Sequence, residues 1–183
     1  MQHDDRVTWQ CRIDGTNTLV AVKAFANIAD REMEASCYEK LTALQGVSIP
    51  TLLDKDFRFH DDRYCFGLVL SWVGEEFGGN YLTLPKGALL EAQAVVLKMH
   101  ERGVVHRDLR PENMNYNFTT GRLFLYDFSH GATRQSLGDA AFEKARRDDC
   151  DALKGHLEGC ETPHSRKLLD WVQAWLRAPI ATR

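Results

Sequence analysis

The stretch that decides the fold of this chain is a string of eight residues in its second half, His106-Arg107-Asp108-Leu109-Arg110-Pro111-Glu112-Asn113. A second string, Asp127-Phe128-Ser129, begins 14 residues after Asn113. The two strings supply an Asp, an Asn and a second Asp. Carboxylate and amide oxygens are the hard ligands that Mg²⁺ binds, usually together with phosphate oxygens. The two strings therefore supply candidate ligands for a divalent cation.

Length and composition are those of an ordinary globular protein. The 183 residues are enough for one core or for two small lobes that share a cleft. Hydrophobic residues make up 44% of the chain and charged residues 27%, so the composition gives no reason to expect disorder. The net charge of −3 gives no reason to expect nucleic acid as a partner, because nucleic-acid-binding domains usually present a basic face.

Cysteine usage and hydropathy bear on the compartment. The five cysteines are an odd number without a C-x-x-C pair, which indicates reduced thiols and neither a disulfide framework nor a zinc site. The start of the chain is polar and acidic, without the apolar segment of a signal peptide. No stretch reaches the roughly 18 apolar residues of a membrane span. We therefore expect a soluble cytoplasmic protein without a membrane partner, with the nucleus as the second candidate location.

The first half of the chain alternates strand and helix patterns. Residues 7–13 and 18–25 are β-rich and are joined by Asp14-Gly15-Thr16-Asn17, which predicts a hairpin. Residues 30–44 contain neither Gly nor Pro and predict a helix that ends before Gly46. Residues 57–60 and 64–73 predict a second pair of strands.

The second half is mostly helical. Glycines between residues 74 and 80 predict a break, and residues 84–102 predict a helix with Pro85 near its start and Gly103 after its end. Short strands are predicted around residues 104–105, 114–116 and 123–126, and helices over residues 138–159 and 165–177.

The segment Val20-Ala21-Val22-Lys23 lies on the second predicted strand. By itself, such a lysine is most often an exposed strand residue. Followed by the eight-residue string and the later Asp-Phe, it resembles the protein kinase family, in which a lysine strand, a catalytic loop and a metal-binding motif occur in this order. The resemblance covers residues 7–130.

The resemblance implies the α+β class and a bilobal, protein kinase-like fold. Residues 1–74 would form a reduced N-lobe, with an antiparallel sheet and one helix. Residues 75–183 would form a shortened, mostly helical C-lobe that carries the catalytic loop.

The resemblance also implies an ATP site. Lys23 would hold the α- and β-phosphates, and Ala21 would lie against the adenine. Leu70 would be the gatekeeper residue, and the C=O of Ser71 and the N–H of Val73 would bond the adenine edge.

A glutamate on the predicted helix is expected to fix the Lys23 ammonium. We predict Glu39 for this role, because Leu41 and Leu44 then face the core. Glu32 and Glu34 lie on the same helix, where a glutamate is usually solvated.

The catalytic loop carries the remaining roles. Asp108 would orient the substrate hydroxyl and accept its proton, and Arg110 would contact the γ-phosphate, which arginine can bind with two hydrogen bonds. Asn113 and Asp127 would bind Mg²⁺. The cofactors implied are ATP and Mg²⁺, and the partners are a nucleotide and a hydroxyl group of a protein or a small molecule.

The sequence departs from the family at four points. About six residues precede the first predicted strand and none of them is Gly, so we expect the Gly-rich loop to be truncated or replaced. Ser129 stands where the metal motif usually ends in Gly. Asn115 occupies the usually apolar place beneath the adenine, where an amide costs packing unless it finds a partner. No Ala-Pro-Glu motif or recognisable activation segment follows Ser129, as in small atypical kinases such as the RIO type.

These departures keep three functions open. The first is an active phosphotransferase, because every charged catalytic position is filled. The second is a pseudokinase that serves as a binding or scaffold module, because the Gly-rich loop is missing and Asn115 is polar. The third is a kinase cleft repurposed for another reaction on a small molecule, since fold does not fix function. The acidic run Asp148-Asp149-Cys150-Asp151 is expected to be a solvated helix face.

Overall fold

A computed structural model describes residues 6–60, 63–74, 86–117 and 121–158. The first half of the described chain contains a four-stranded antiparallel sheet, in the spatial order β1-β2-β4-β3. Its strands are β1 (Arg6–Arg12), β2 (Leu19–Phe25), β3 (Leu52–Arg58) and β4 (Phe66–Ser71). The predicted hairpin joins β1 to β2, and Gly15 in its turn has φ +73°, a value that glycine adopts readily.

One helix, α1 (Ile28–Lys40), packs against this sheet. Asn27 caps its start, because its side-chain oxygen accepts from the Ala29 N–H at 2.8 Å. The helix ends at Lys40, four residues before the predicted end at residue 44, and a separate 3-10 turn (Thr42–Leu44) follows. Gly46, with φ +71°, therefore follows the 3-10 turn and does not cap the helix.

The second half contains helices and two short antiparallel strand pairs. The elements are α2 (Lys86–Glu101), β5 (Val104–Val105), β6 (Met114–Asn117), β7 (Arg122–Leu125), β8 (Ala132–Thr133), α3 (Arg134–Leu137) and α4 (Asp139–Glu158). β6 pairs with β7 and β5 pairs with β8, as the short strands that flank the catalytic loop. The sequence did not predict β8 or α3. The helix predicted at 165–177 and most of the break predicted at 74–80 lie outside the described residues.

A single buried apolar cluster unites the two halves. It includes Tyr38 and Leu41 from the first half and Met99, Leu123 and Phe128 from the second, all fully buried. The predicted α+β class is confirmed, with an antiparallel sheet and one helix in the first half and a mostly helical second half. None of the helices within the described ranges is long and apolar enough to cross a bilayer.

The carboxylate of Asp149, on α4, anchors the backbone of the catalytic loop. Its carboxylate accepts from the backbone N–H groups of His106 and Arg107 at 2.8 and 2.7 Å, and it contacts the His100 ring at 3.0 Å. Only 1% of Asp149 is exposed, so the expectation of a solvated acidic face is wrong for this residue. The neighbouring Asp148 is exposed and pairs with Lys144. Two consecutive residues of α4 therefore differ: Asp149 is a buried anchor, whereas Asp148 is a surface charge.

Replacement of the anchor should destabilise the fold. We expect Asp149→Asn to lower the free energy of unfolding by about 2–4 kcal/mol, because it weakens buried hydrogen bonds to a charged group. Urea denaturation followed by circular dichroism measures this change. The matched control is Asp148→Asn, which should leave the unfolding midpoint unchanged because exposed ion pairs contribute little. Equal effects of the two variants would contradict the assignment of Asp149 as an anchor.

Candidate active site

A cleft of about 540 Å³ lies between the sheet and the second half of the chain. Eight of the residues predicted to form the site line it, namely Ala21, Lys23, Leu70, Ser71, Val73, Arg110, Asn113 and Asp127. Asp108 adjoins this group through a hydrogen bond from Asn113. The predicted strand, hinge and loop residues therefore come together around one cavity.

The Lys23 ammonium connects three parts of the chain. It lies 2.7 Å from a carboxylate oxygen of Glu34 on α1 and 2.5 Å from Oδ1 of Asp127. Lys23 is 6% exposed and Glu34 is fully buried. Charged groups so deep in a protein persist only when they are paired, and here one cation is shared by two carboxylates.

Burial and pairing act in opposite directions on the pKa values of this trio. Burial by itself lowers the pKa of Lys23, but Glu34 and Asp127 raise it above its ordinary value. Burial also favours a higher pKa for Asp127, yet Lys23 and the Ser129 hydrogen bonds hold that pKa well below its usual range. For the completely buried Glu34, burial outweighs Lys23 and raises the pKa. Asp127 is therefore the carboxylate that remains ionised most firmly.

The prediction that Glu39 pairs with Lys23 is wrong. Glu39 is half-exposed and its carboxylate contacts Lys55 on β3 at 2.6 Å. The reason is the helical period: five residues at about 100° per residue place Glu34 and Glu39 roughly 140° apart around the helix, so the two cannot share the buried face. The buried face carries Glu34 and Tyr38, and Leu41 reaches the core from the cap position.

The catalytic loop is held by hydrogen bonds from one amide. Asn113 Nδ2 donates to the backbone carbonyl of Asp108 at 2.8 Å and to its carboxylate at 2.9 Å. Arg110 Nε lies 3.2 Å from the same carboxylate. The Tyr126 N–H donates to the Asn113 carbonyl at 3.1 Å, which brings Asp127 beside the loop. Asp108 therefore has a defined orientation before any substrate is bound.

Asn115 has found a polar partner at the edge of the cleft. Its Nδ2 donates to the Val73 carbonyl at 2.7 Å, and only 7% of Asn115 is exposed. Gly74 makes room for this amide: it has φ +105°, and an added Cβ would lie 2.4 Å from Asn115 Nδ2. The residue does not line the cleft itself. Its predicted place directly beneath a base remains a prediction.

A cluster of buried rings, packed edge-on and tilted, lies behind the site. The Tyr38 and Phe128 ring centroids are 5.2 Å apart, and those of His106 and Phe128 are 4.9 Å apart. His106 Nε2 also contacts the Tyr126 carbonyl at 2.9 Å. Burial lowers the pKa of His106 in spite of nearby carboxylates, which favours a neutral ring. The ring cluster thus joins α1 to the string that begins at His106 and to the string that contains Phe128.

The donor set suits a hard cation that also binds phosphate. Because Asn113 uses its nitrogen for Asp108, its Oδ1 remains as a possible ligand. Asp127 uses Oδ1 for Lys23 and the Ser129 N–H, and its second oxygen, Oδ2, is the other possible ligand. Within the described ranges, no group of three or more His, Cys, Asp and Glu side chains is arranged to hold a metal. Two protein oxygens fit an ion that takes its other ligands from phosphate and water.

Sequence reasoning did not assign four residues that line or support the site. Glu34 could have been found from the cap: a helix that begins after Asn27 buries its positions 31, 34, 35 and 38 at helical spacing. Asp149 had no comparable local signal, because its partners lie more than 40 residues away. The polar side chains of Thr8 and Gln10 also line the cleft and had not been predicted.

The two glutamates of α1 provide a matched test of the pairing. We expect Glu34→Gln to lower the free energy of unfolding by about 1–3 kcal/mol, since Lys23 keeps only Asp127 as a charged partner. Glu39→Gln should leave stability unchanged, because its ion pair is exposed. Urea denaturation of both variants shows which of the two glutamates stabilises the protein by pairing with Lys23. The reverse ranking would restore Glu39 as the partner of Lys23.

Comparisons with known proteins are consistent with this geometry. No family model matches the chain. It is 27% identical to a probable casein kinase I homolog of Encephalitozoon cuniculi, over 75% of this chain and 56% of that protein. It is 28% identical to the serine/threonine-protein kinase YPK3 of Saccharomyces cerevisiae, over 63% of this chain and 23% of that protein. The chain therefore spans about half of the first relative and a quarter of the second.

A solved structure shows the same fold. The kinase PK-1 of the Cydia pomonella granulovirus superposes with a TM-score of 0.57, at 16% identity, over 72% of this chain and 52% of that one. The two curated relatives are similar to this chain in sequence. In this chain the lysine strand, the catalytic loop and the Asp127 motif follow one another in the kinase order and lie around one cleft. The chain is a member of the protein kinase-like superfamily.

Proposed function

We propose that this protein is a phosphotransferase that moves the γ-phosphate of ATP to a hydroxyl group of a protein or a small molecule. The observation that carries the proposal is the preassembled cleft, in which Lys23, Asn113 and Asp127 face one cavity beside Asp108. Phosphoryl transfer demands mainly positioning and neutralisation of charge, which these residues can provide.

The residues that line the cleft would bind different parts of ATP, according to where each residue lies. Ala21, Leu70, Ser71 and Val73 lie at the end of the cleft that would receive the adenine. Lys23 lies at the other end, where its ammonium would bind the α- and β-phosphates. Because it already touches Asp127, Lys23 would also orient that carboxylate.

Asp108 is the group that would act on the acceptor. Its carboxylate would accept a hydrogen bond from the substrate hydroxyl, align the oxygen with the γ-phosphorus and take the proton as the new bond forms. Asn113 holds this carboxylate in place. Arg110, whose side chain is half-exposed at 54%, can turn from Asp108 to the γ-phosphate when a nucleotide is bound.

Mg²⁺ would be held by Asn113 Oδ1 and Asp127 Oδ2. A bound Mg²⁺ neutralises phosphate charge and draws electron density from the transferred group. The low pKa of Asp127 keeps its carboxylate ionised across the physiological pH range, so no proton competes with a cation for this carboxylate.

We further propose that the two lobes meet at the hinge that ends with Gly74, so that residues 1–74 and 75–183 form the N-lobe and the C-lobe. We also propose a cytoplasmic location, with a nucleotide and a hydroxyl substrate as the partners. The reduced cysteines and the absence of a basic motif in the sequence support these assignments.

Nucleotide binding can be tested by thermal shift. We expect ATP with Mg²⁺ to raise the unfolding midpoint, because a ligand that binds only the folded state stabilises it by mass action. Asp127→Asn should remove the Mg²⁺-dependent part of the shift. A wild-type protein whose midpoint does not respond to ATP, with or without Mg²⁺, would contradict the proposal at its first step.

Transfer itself can be tested in single-turnover reactions with labelled ATP, Mg²⁺ and a panel of hydroxyl acceptors. We expect Asp108→Asn to lower the transfer rate by about 10²- to 10⁴-fold, the usual contribution of a positioned acid–base group. ATP binding should remain, because Asp108 does not line the cleft. Protein that binds ATP but shows equal inertness in the wild type and the variant would favour the pseudokinase alternative.

A further inference from the structure

The two edge strands of the four-stranded sheet are β1 and β3. An edge strand presents a row of backbone N–H and C=O groups with which a further strand can pair. Natural proteins commonly prevent such pairing by placing charged side chains, β-bulges or prolines on the edge. The sequence and the pairing of each edge strand therefore show whether that edge is protected.

The edge formed by β3 is protected. Its pairing with β4 shifts register on both sides of Asp54, and the exposed charged residues Asp54, Lys55 and Asp56 occupy its middle. The Lys55 carbonyl accepts from the Arg31 guanidinium at 2.9 Å. The Asp56 N–H donates to the Asp54 carboxylate at 2.8 Å. Bulges, charges and backbone groups that are already bonded all oppose the addition of a strand beside β3.

The edge formed by β1 lacks these features. All seven residues of β1 pair with β2 in one continuous register. Between Arg6 and Arg12 the strand reads Val-Thr-Trp-Gln-Cys, without a charged residue, a proline or a glycine. β1 is therefore a regular strand whose own sequence puts no obstacle in the way of a further strand.

The hydrogen bonds of the hairpin show which backbone groups of β1 face outwards. The Ile13 N–H donates to the Thr18 carbonyl at 3.0 Å, and these two residues are directly opposed when the β1–β2 register is continued. Hydrogen-bonded and non-hydrogen-bonded pairs alternate in an antiparallel ladder. The odd-numbered residues of β1 therefore bond β2, whereas the backbone groups of residues 6, 8, 10 and 12 point away from it. Within the described ranges, these outward groups have no hydrogen-bond partner.

The side chains of β1 define the kind of strand that fits beside it. Arg6 and Arg12 are an even number of positions apart and therefore point to the same face of the sheet. Arg12 is exposed, and its guanidinium bonds the neutral amide of Asn17 at 3.0 Å, a contact that leaves its charge uncompensated. Trp9, midway between the arginines, points to the other face and is 41% exposed. A neighbouring strand would therefore meet a cation at each end and an aromatic ring at its centre.

We propose that the open edge of β1 binds an extended segment of a partner protein, which adds an antiparallel fifth strand to the sheet. The segment carries an acidic residue opposite Arg6, another opposite Arg12, and an apolar residue opposite Trp9. Main-chain hydrogen bonds to the outward groups of β1 supply the affinity, and the charged and aromatic contacts select the partner. This interaction surface does not depend on the proposed phosphotransferase activity.

The test titrates the full chain with the blocked peptide Glu-Val-Thr-Phe-Thr-Val-Glu by isothermal titration calorimetry, and we expect saturable binding. A peptide with Lys in place of both Glu residues should bind about tenfold more weakly, because two attractive charge pairs become repulsive. The acidic peptide with N-methyl groups on both Thr residues should not bind, since it lacks the backbone donors that face β1. Absence of binding by the acidic peptide, or equal binding of all three peptides, overturns the proposal.

Gln10→Pro and Gln10→Ala form a matched pair of variants. The N–H of residue 10 points away from β2, so proline removes a donor to the peptide and leaves the β1–β2 ladder intact. We expect Gln10→Pro to abolish binding of the acidic peptide and Gln10→Ala to retain it. Equal weakening by both would indicate a side-chain contact in place of strand pairing and would overturn the proposal. If circular dichroism shows that Gln10→Pro does not fold, Arg12→Glu replaces it. That variant should narrow the difference between the acidic and lysine peptides, and an unchanged difference contradicts the charge contacts.

A second copy of β1 fits the edge less well than an acidic segment does. In the two-fold antiparallel pairing centred on Trp9, Arg6 of each copy lies opposite Arg12 of the other, and like charges directly opposite destabilise a strand pair. We therefore expect the wild-type chain to sediment as a monomer in velocity centrifugation. A dimer that Gln10→Pro dissociates would show that a second copy occupies the edge, which overturns the assignment to a partner segment.

Discussion

The architecture depends on the buried ammonium group of Lys23. Lys23 extends from the sheet, Glu34 comes from α1, and Asp127 follows β7, so that their meeting point fixes three elements at once. Separating any one of them would leave a charge in a poorly solvating interior, which is far more costly than losing an exposed pair. The raised pKa of Lys23 and the low pKa of Asp127 have this common origin: burial penalises both charges, and their mutual attraction more than offsets it. The chemistry of the cleft and the stability of the fold therefore share the same contacts.

Two strained backbone conformations in the site are also held by hydrogen bonds to charged groups. Among the described residues, Arg107 and Asp127 have positive φ without being glycine, at 66° and 63°. Such conformations persist when surrounding contacts overdetermine them. The Arg107 N–H is held by Asp149, and the Asp127 carboxylate is held by Lys23 and the Ser129 N–H. Only 22 positions separate Asp127 from Asp149 in the chain. Asp149 thus holds the start of the 106–113 segment, and Lys23 and Ser129 hold Asp127.

The sequence predicted what local patterns encode. The hairpin, the short strands beside the catalytic loop and the long helices follow from alternation, turn residues and helical spacing. Glu39 was preferred to Glu34 because Leu41 and Leu44 were expected to face the core together with it. The face that leads to Leu41 instead carries Glu34, which lies two helical turns earlier. Asp149 was taken for a surface charge because its partners belong to a distant loop. Contacts across long sequence distances thus account for the main errors, as expected when tertiary packing outweighs local preference.

Asn115 shows how a departure from a family pattern can be compatible with the fold. A buried amide is costly only if it lacks a partner, and the Val73 carbonyl supplies one at 2.7 Å. The bond is possible because residue 74 is glycine: a Cβ there would overlap the amide, and φ +105° is a strained conformation for other residues. Asn115 and Gly74 are therefore coupled, since the amide fills the space that the missing side chain leaves. The hydrogen bond ties the segment after β4 to β6 and replaces apolar packing at this point with a directional contact, which fixes the edge of the cleft more narrowly than packing alone would.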